Sequence, residues 1–360
     1  MKVKLGDVCE RGTSNLRQSD VVGKGGDYPI YGASGYIGDV DFYHQEKSYV
    51  AIVKDGAGIG RTMLCPEKSS VIGTMQYLLP KEAILPQYLY YVVKYMHLEK
   101  YFSGATIPHI YFKDYKNEQF NLDTLKKQAI IVKILGKCEE VIAARNKQLN
   151  ALDELIQARF VELFGDPVAN PMGWDTDTCK NLTSKIGSGA TPKGGRESYG
   201  TEGISLIRSM NVYNNRFEYK DLAHITDEQA EKLDNVTIKE NDVLLNITGA
   251  SVARCCIVPK DLLPARVNQH VSIIRCKERL LPEFVACMFT EDNYQRLLWN
   301  IATAGGATRE AITKQQIEDL VLIVPPVEKQ QEFMNFAHQV HKSKLVIKNL
   351  LQIYKHQIQM

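Results

Sequence analysis

Between residues 124 and 164 the apolar positions recur in alternating steps of three and four: Leu135, Cys138, Ile142, then Leu149, Leu152, Ile156 and Leu163. Arg145 and Arg159 fill the two remaining slots, and the stretch holds no proline and one glycine, Gly136. This seven-residue repeat predicts a single helix of roughly 60 Å at 1.5 Å rise per residue. An apolar stripe so narrow cannot bury itself, so the helix needs a second one lying along it. The same pattern returns at the other end of the chain. Residues 327–359 are free of Gly and Pro and step through Ala337, Val340, Lys344, Ile347, Leu351, Tyr354 and Ile358. Adding 202 to the positions Leu135, Cys138, Ile142, Arg145, Leu149, Leu152 and Ile156 gives those seven. Two helices in one register point to an internal duplication.

The residues before each helix repeat as well. In the first block, Leu5 to Val8 reads as a short strand or turn, and residues 23–38 as loop or hairpin. Tyr49–Val53 is a continuous apolar strand pattern running into a turn from Asp55 to Arg61. Strand patterns follow at Met63-Leu64 and at residues 76–79. Pro86 opens a helix over residues 87–102. A turn at residues 104–110 and a short strand at 118–122 close the block. In the second block, the strand at residues 242–247 and the turn from Thr248 to Arg254 match the first at an offset of 193. Leu281-Pro282 matches Leu85-Pro86 at 196, and Gly306-Ala307-Thr308 matches Gly104-Ala105-Thr106 at 202. The extra length of the second block lies mainly before Asp242, in loops at 183–203 and 207–219. Gly165-Asp166-Pro167 through Gly173 is a helix stop followed by a proline-bounded joint.

The predicted fold is therefore α+β. Two tandem globular domains, 1–122 and 173–325, are separated by long helices at 123–165 and 326–360, with a linker at 166–172. The helices are expected to pair antiparallel as a coiled coil, about a pseudo-two-fold axis. Leu135, Cys138, Ile142, Leu149, Leu152 and Ile156 would face Ala337, Val340, Ile347, Leu351, Tyr354 and Ile358.

Composition narrows the class. A chain of 360 residues has room for two domains, and 44% hydrophobic with 24% charged residues is globular. No apolar run reaches the roughly 18 residues of a membrane span. The N-terminal stretch is not a signal sequence, and the reading is cytoplasmic. The eight cysteines contain no C-x-x-C pair, so reduced thiols are expected, with Cys255-Cys256 as core plus rim. A net charge of +2 means that any nucleic-acid surface must concentrate its cations on one face.

Candidate chemistry is sparse. Gly56-Ala57-Gly58-Ile59-Gly60 resembles a nucleotide loop, but strand rather than helix follows it, and the matching turn carries Ser251 and Ala253. No phosphate-loop lysine motif, no Asn-Pro-Pro-Tyr, no metal-spaced histidines and no nucleophile–base set can be assigned. Binding is better supported, because loops pair cations and amides with aromatics. Lys24 lies near Tyr31, His109 near Tyr111, Lys193 and Arg196 near Tyr199, and Arg208 and Asn211 near Tyr213. Lys54, Arg61, Thr106, Thr248, Arg254, Thr308 and Arg309 sit at the matched turns, and Asn268-Gln269-His270 opens a strand. These groups hold phosphates and read base edges.

The duplicated Gly-Ala-Thr turns, the Leu-Pro-x-[Tyr/Phe] helix starts, Pro325-Pro326-Val327-Glu328-Lys329-Gln330-Gln331 and Phe164-Gly165-Asp166-Pro167 together resemble the specificity subunit of a bacterial type I restriction–modification enzyme. The resemblance covers essentially the whole chain. The first half departs from the second at Leu122-Asp123-Thr124-Leu125 and at Pro108. The resemblance implies two target-recognition domains, each reading half of a split, asymmetric site in double-stranded DNA. The long helices would fix the gap and dock two methyltransferase subunits, with restriction and motor subunits in the full complex. The subunit itself would be non-catalytic, with S-adenosylmethionine, ATP and Mg2+ on its partners. The competing readings are a coiled-coil protein-binding scaffold, and a stand-alone DNA nuclease or methyltransferase.

Overall fold

The computed structural model describes residues 1–21, 23–104, 107–192, 195–304 and 310–359, with side chains at all of these except 196, 198 and 355–359. Contacts divide the chain into two compact units, Met1–Ala144 with Tyr354–Met360, and Arg145–Ile353.

In the first unit a four-stranded antiparallel sheet runs in the spatial order Cys9–Thr13, Met75–Pro80, Tyr49–Val53, Thr62–Cys65. All five residues of Tyr49–Val53 are buried. A strand alternates its side chains between faces, so a continuous apolar run requires cover on both. Val50, Ile52 and Leu78 face Leu5, Tyr88, Leu89 and Val93. Tyr49, Ala51, Val53 and Tyr77 face Val21, Ile30, Val40 and Val71. Val21 ends the short helix Gln18–Val21, and the other three come from a three-stranded sheet, Gly35–Val40, Tyr28–Gly32 and Ser70–Val71, whose last pair is parallel. Lys2–Lys4 pairs with Gln119–Asn121 and brings the ends of the block together.

The second unit repeats this frame. Its four-stranded sheet runs Thr183–Ser188, Val271–Cys276, Val243–Asn246, Cys255–Ile257. Its three-stranded sheet runs Ala223–Ile225, Ile204–Ile207, Ala265–Val267, again with a parallel last pair. Thr176–Thr178 pairs with Val321–Ile323. The extra residues form a hairpin, Val212–Tyr213 with Arg216–Phe217, and a helix, Asp227–Glu231. Cys255 and Cys256 are both core, not core and rim. The first joins the cluster under the helices and the second the cluster between the sheets, because this sheet too is covered on both faces.

Two local expectations change. Leu5–Val8 is a single helical turn, held by Lys4 N donating to Asp7 Oδ2 at 3.0 Å. The helix opened by Pro86 ends at Tyr95, and a short 3-10 turn, Leu98–Tyr101, follows. His97 takes a left-handed φ of 51° between them, turning fully buried Leu98 into the core.

The long helices span Leu125–Phe164 and Val327–Gln359. In the second unit Leu149 and Leu152 are half-buried, while Ile156, Ala337, Val340, Ile347 and Leu351 are buried. Arg159 Nη2 reaches Glu332 Oε1 at 3.2 Å, and Lys344 bonds Asp153. Residue numbers fall along one helix as they rise along the other, so the two segments run antiparallel. In the first unit Leu135, Cys138 and Ile142 are half-buried and Tyr354 is exposed; the Ile358 side chain lies outside the described residues. Past Ile156 the buried stripe shifts to Phe160 and Phe164, leaving Leu163 half-buried. There the helix packs on a globular core: Phe160 and Phe164 make ring contacts with Phe284 and Phe333 at 4.9–5.7 Å.

Candidate nucleic-acid interface

In each unit, one end of the four-stranded sheet gathers several of the loops that carry candidate residues; Lys24 is not among them. In the first unit the strands Tyr49–Val53 and Thr62–Cys65 are joined there by the Asp55–Arg61 turn. In the second the Thr248–Arg254 turn joins Val243–Asn246 to Cys255–Ile257, beside Asn268 to His270 at the start of Val271–Cys276. The start of each turn is pinned by an isolated bridge, Asp55 to His109 and Thr248 to Ala311. The glycine-rich stretch from Gly56 to Gly60 therefore closes a strand-to-strand connection. Gly60, at φ 80°, lies so close to the backbone of Glu99 that a Cβ would meet it at 2.7 Å.

The first unit assembles a chain of polar groups. Lys54 Nζ lies 3.3 Å from Asp55 Oδ2, and Asp55 Oδ1 lies 2.6 Å from His109 Nδ1. The His109 ring stacks on Tyr111, and Lys113 Nζ sits 5.4 Å from the Tyr111 ring centre. Lys54, His109 and Tyr111 are thus brought together, with Asp55 and Lys113 as members that the sequence reading did not include. Tyr31 packs edge-on to Tyr36 at 6.2 Å, and burial pushes its phenol above its ordinary value. Lys24 is exposed in a loop. Arg61 donates from Nη1 to Ala33 O at 2.9 Å, tying the hairpin Tyr28–Gly32/Gly35–Val40 to the turn.

In the second unit Thr248 Oγ1 and His270 Nδ1 are 2.6 Å apart, and Gln269 Nε2 lies 3.1 Å from His270 Nε2. The Thr191 hydroxyl donates to Gln269 Oε1 from the opposite loop. Arg208 lies 5.3 Å from the ring centre of Tyr199. Arg254 lies 4.5 Å from that of Tyr213, and Arg216 lies 4.6 Å from the same ring. Arg216 was not singled out in the sequence. Its signal was there: Asn214-Asn215 between two alternating dipeptides is a hairpin turn.

Asn211 requires a correction. It is fully buried: its Oδ1 accepts from Arg208 N at 3.1 Å, and its Nδ2 donates to Glu218 O at 2.9 Å and Lys220 O at 3.3 Å. Every polar atom of the side chain is committed to bracing the loop, leaving none for a base edge. Asn268 is also buried, and its Oδ1 accepts the His270 N–H at 3.0 Å, which sets how His270 is presented. Thr106, Lys193, Thr308 and Arg309, and the side chain of Arg196, lie outside the described residues. Among the described residues no group of three or more His, Cys, Asp or Glu side chains could hold a metal ion, and no helix is long and apolar enough to cross a membrane.

Comparison with known proteins converges on one family. A family model described as the type I restriction modification DNA specificity domain matches residues 1–154 and 171–353. The MjaVIII specificity subunit, a type I restriction enzyme component of Methanocaldococcus jannaschii, is 24% identical over 211 residues. That match covers 54% of this chain and 49% of the relative, so the chain spans about half the length of the curated protein it matches. The crystal structure of the type I restriction–modification S subunit from M. genitalium has a TM-score of 0.60 at 12% identity, over 99% of this chain and 93% of that one. A structure describing complex assembly and conformational transition of the type I R-M system gives 0.59 at 16% identity, over 100% and 95%. At these identities the structural likeness concerns the fold. With the family model covering nearly the whole sequence in two stretches, the chain belongs to the type I restriction modification DNA specificity domain family.

Proposed function

We propose that this chain is the DNA-reading specificity subunit of a type I restriction–modification complex. Each globular part reads one half of a bipartite, asymmetric site. One observation carries the reading: the two units share a sheet frame strand for strand, yet the loops at the same sheet end differ. His109–Asp55–Lys54 stands in one, and Thr248–His270–Gln269 with Arg254 in the other. A common frame with divergent contacts suits two half-sites of different sequence.

In this reading the long helices fix the gap between half-sites and dock two methyltransferase subunits. Support for docking comes from Leu345, Val346 and Ile353, which are 55–60% exposed on the last helix, and Ile130 and Ile134 on the first. The chain itself performs no chemistry. S-adenosylmethionine, ATP and Mg2+ belong to the methyltransferase and restriction subunits, and the assembly works in the cytoplasm on double-stranded DNA.

The test is an insertion of one heptad after Gln148, matched by one after Leu350. Long-read methylation mapping should then find the same two half-sites with a wider gap. An unaltered gap would refute the ruler role.

A further inference from the structure

Arg254 and Arg61 occupy the same repeat position but are used differently. Arg61 is spent on a structural bond to Ala33 O. Arg254, among the described residues, has no carboxylate partner and no hydrogen bond from its guanidinium; it rests only against the Tyr213 ring. Arg216 rests against the same ring, more than half exposed. Both charges are within 4.6 Å of one ring centre, so they lie within about 9 Å of each other, close enough to repel. One carboxylate, Glu218, meets one nitrogen of Arg216 at 3.1 Å; the other donors of both guanidinium groups remain available.

The ring that carries them is firmly mounted. Asn215 N donates to Cys255 O at 2.9 Å, Cys255 N donates to Asn214 Oδ1 at 3.2 Å, and Asn215 Nδ2 donates to Thr290 Oγ1 at 2.8 Å. From the other side Asn246 Nδ2 donates to Ser209 O at 2.8 Å. The hairpin is thus fixed to the edge of the four-stranded sheet, at the end that holds Thr248 and His270. Its strands have no counterpart among the described elements of the first unit.

We propose that Arg216 and Arg254, set on Tyr213, form a backbone-phosphate clamp that belongs to the second reading unit alone. One DNA strand carries a phosphate every roughly 3.4 Å of helix axis, so two or three successive phosphates fall within the reach of this pair. A phosphate oxygen between two guanidinium groups relieves their repulsion and accepts charge-assisted hydrogen bonds from both. Guanidinium groups already held against a ring lose little freedom on contact. The clamp sets register and affinity without reading bases. It rests on the DNA-binding function proposed above.

The test uses the full chain purified with its methyltransferase subunits and a mixed-sequence duplex. Binding is followed by fluorescence anisotropy between about 50 and 200 mM salt. Arg216→Ala and Arg254→Ala should each reduce the slope of log K against log salt by about 0.9, the value for one lost phosphate contact. Arg216→Lys should keep the slope, because it keeps the charge. Arg254→Gln, which preserves the aliphatic stem, replaces the alanine variant if circular dichroism shows misfolding. Unchanged slopes in variants that still bind would overturn the clamp. So would an intact slope with altered sequence preference, which marks a base contact. A wild-type complex that binds no duplex at any salt would instead overturn the DNA function itself.

Discussion

Gln330 is fully buried at the start of the last helix, and it ties that helix to the one opened by Pro282. Its Oε1 accepts from Leu281 N at 2.8 Å, and its Nε2 donates to Arg279 O at 3.0 Å and Pro325 O at 2.8 Å. Gln128, at the matching position, does the same in the first unit. It accepts from Leu85 N at 2.9 Å and donates to Ala83 O and Asp123 O at 2.9 and 2.8 Å. Leu281 caps its helix without a side-chain hydrogen bond of its own, so the Gln330 carbonyl serves an otherwise orphaned N–H. Gln330→Leu keeps the volume and removes the partner of three backbone groups, one buried and two partly buried. At about 1 kcal/mol for each, the loss is about 3 kcal/mol. Gln330→Glu should cost more, because a carboxylate would face two carbonyl oxygens. Gln331→Leu, on the exposed face, should stay within about 0.5 kcal/mol. Urea denaturation followed by circular dichroism reads the loss, and hydrogen exchange of the Leu281 amide reads its local origin. A Gln330→Leu protein as stable as wild type, with Leu281 equally protected, would refute the argument.

Phe160→Ala, which empties the centre of the ring cluster with Phe164, Phe284 and Phe333, should lower stability by about 3–5 kcal/mol in the same denaturation assay. Glu118 is held below its ordinary value of 4.5 by the Lys100 ammonium at 2.5 Å and then by the Tyr101 hydroxyl at 2.6 Å. Its folded value is depressed, so its contribution is present above pH ~4.5 and lost as pH falls through the lower folded value. Glu118→Gln should therefore be less stable at neutral pH and show a shallower acid decline, read as the urea midpoint against pH. His270→Ala should weaken recognition of one half-site only, by about 1–3 kcal/mol for a lost base contact. Competition binding with duplexes altered in either half-site checks this, and equal losses at both would contradict the assignment.

The frame of the molecule could be read from the chain because its signals are local. Heptad spacing, Pro86 and Pro282 at helix starts, and the two glycine-bearing turns each depend on a few neighbouring residues, and their recurrence in one order exposes the duplication. The interface was harder to read because it depends on which groups are already occupied. Asn211 and Arg208 look alike as loop cations and amides, yet one is buried with every atom committed. Arg61 and Arg254 share a repeat position, and only the distant partners Ala33 and Tyr213 separate their roles. The shift of the buried stripe to Phe160 and Phe164 has the same cause. The heptad continues in the sequence, but the surface it meets changes from a helix to a domain core.

In the function proposed above, this chain chooses where methyl groups go, through two unlike readers. Long-read methylation sequencing of the source strain, with the gene intact and deleted, tests it most directly. One gapped motif with two different halves is expected, methylated in the first strain and bare in the second. A motif that stays methylated after deletion, or that never has two unlike halves, would contradict it.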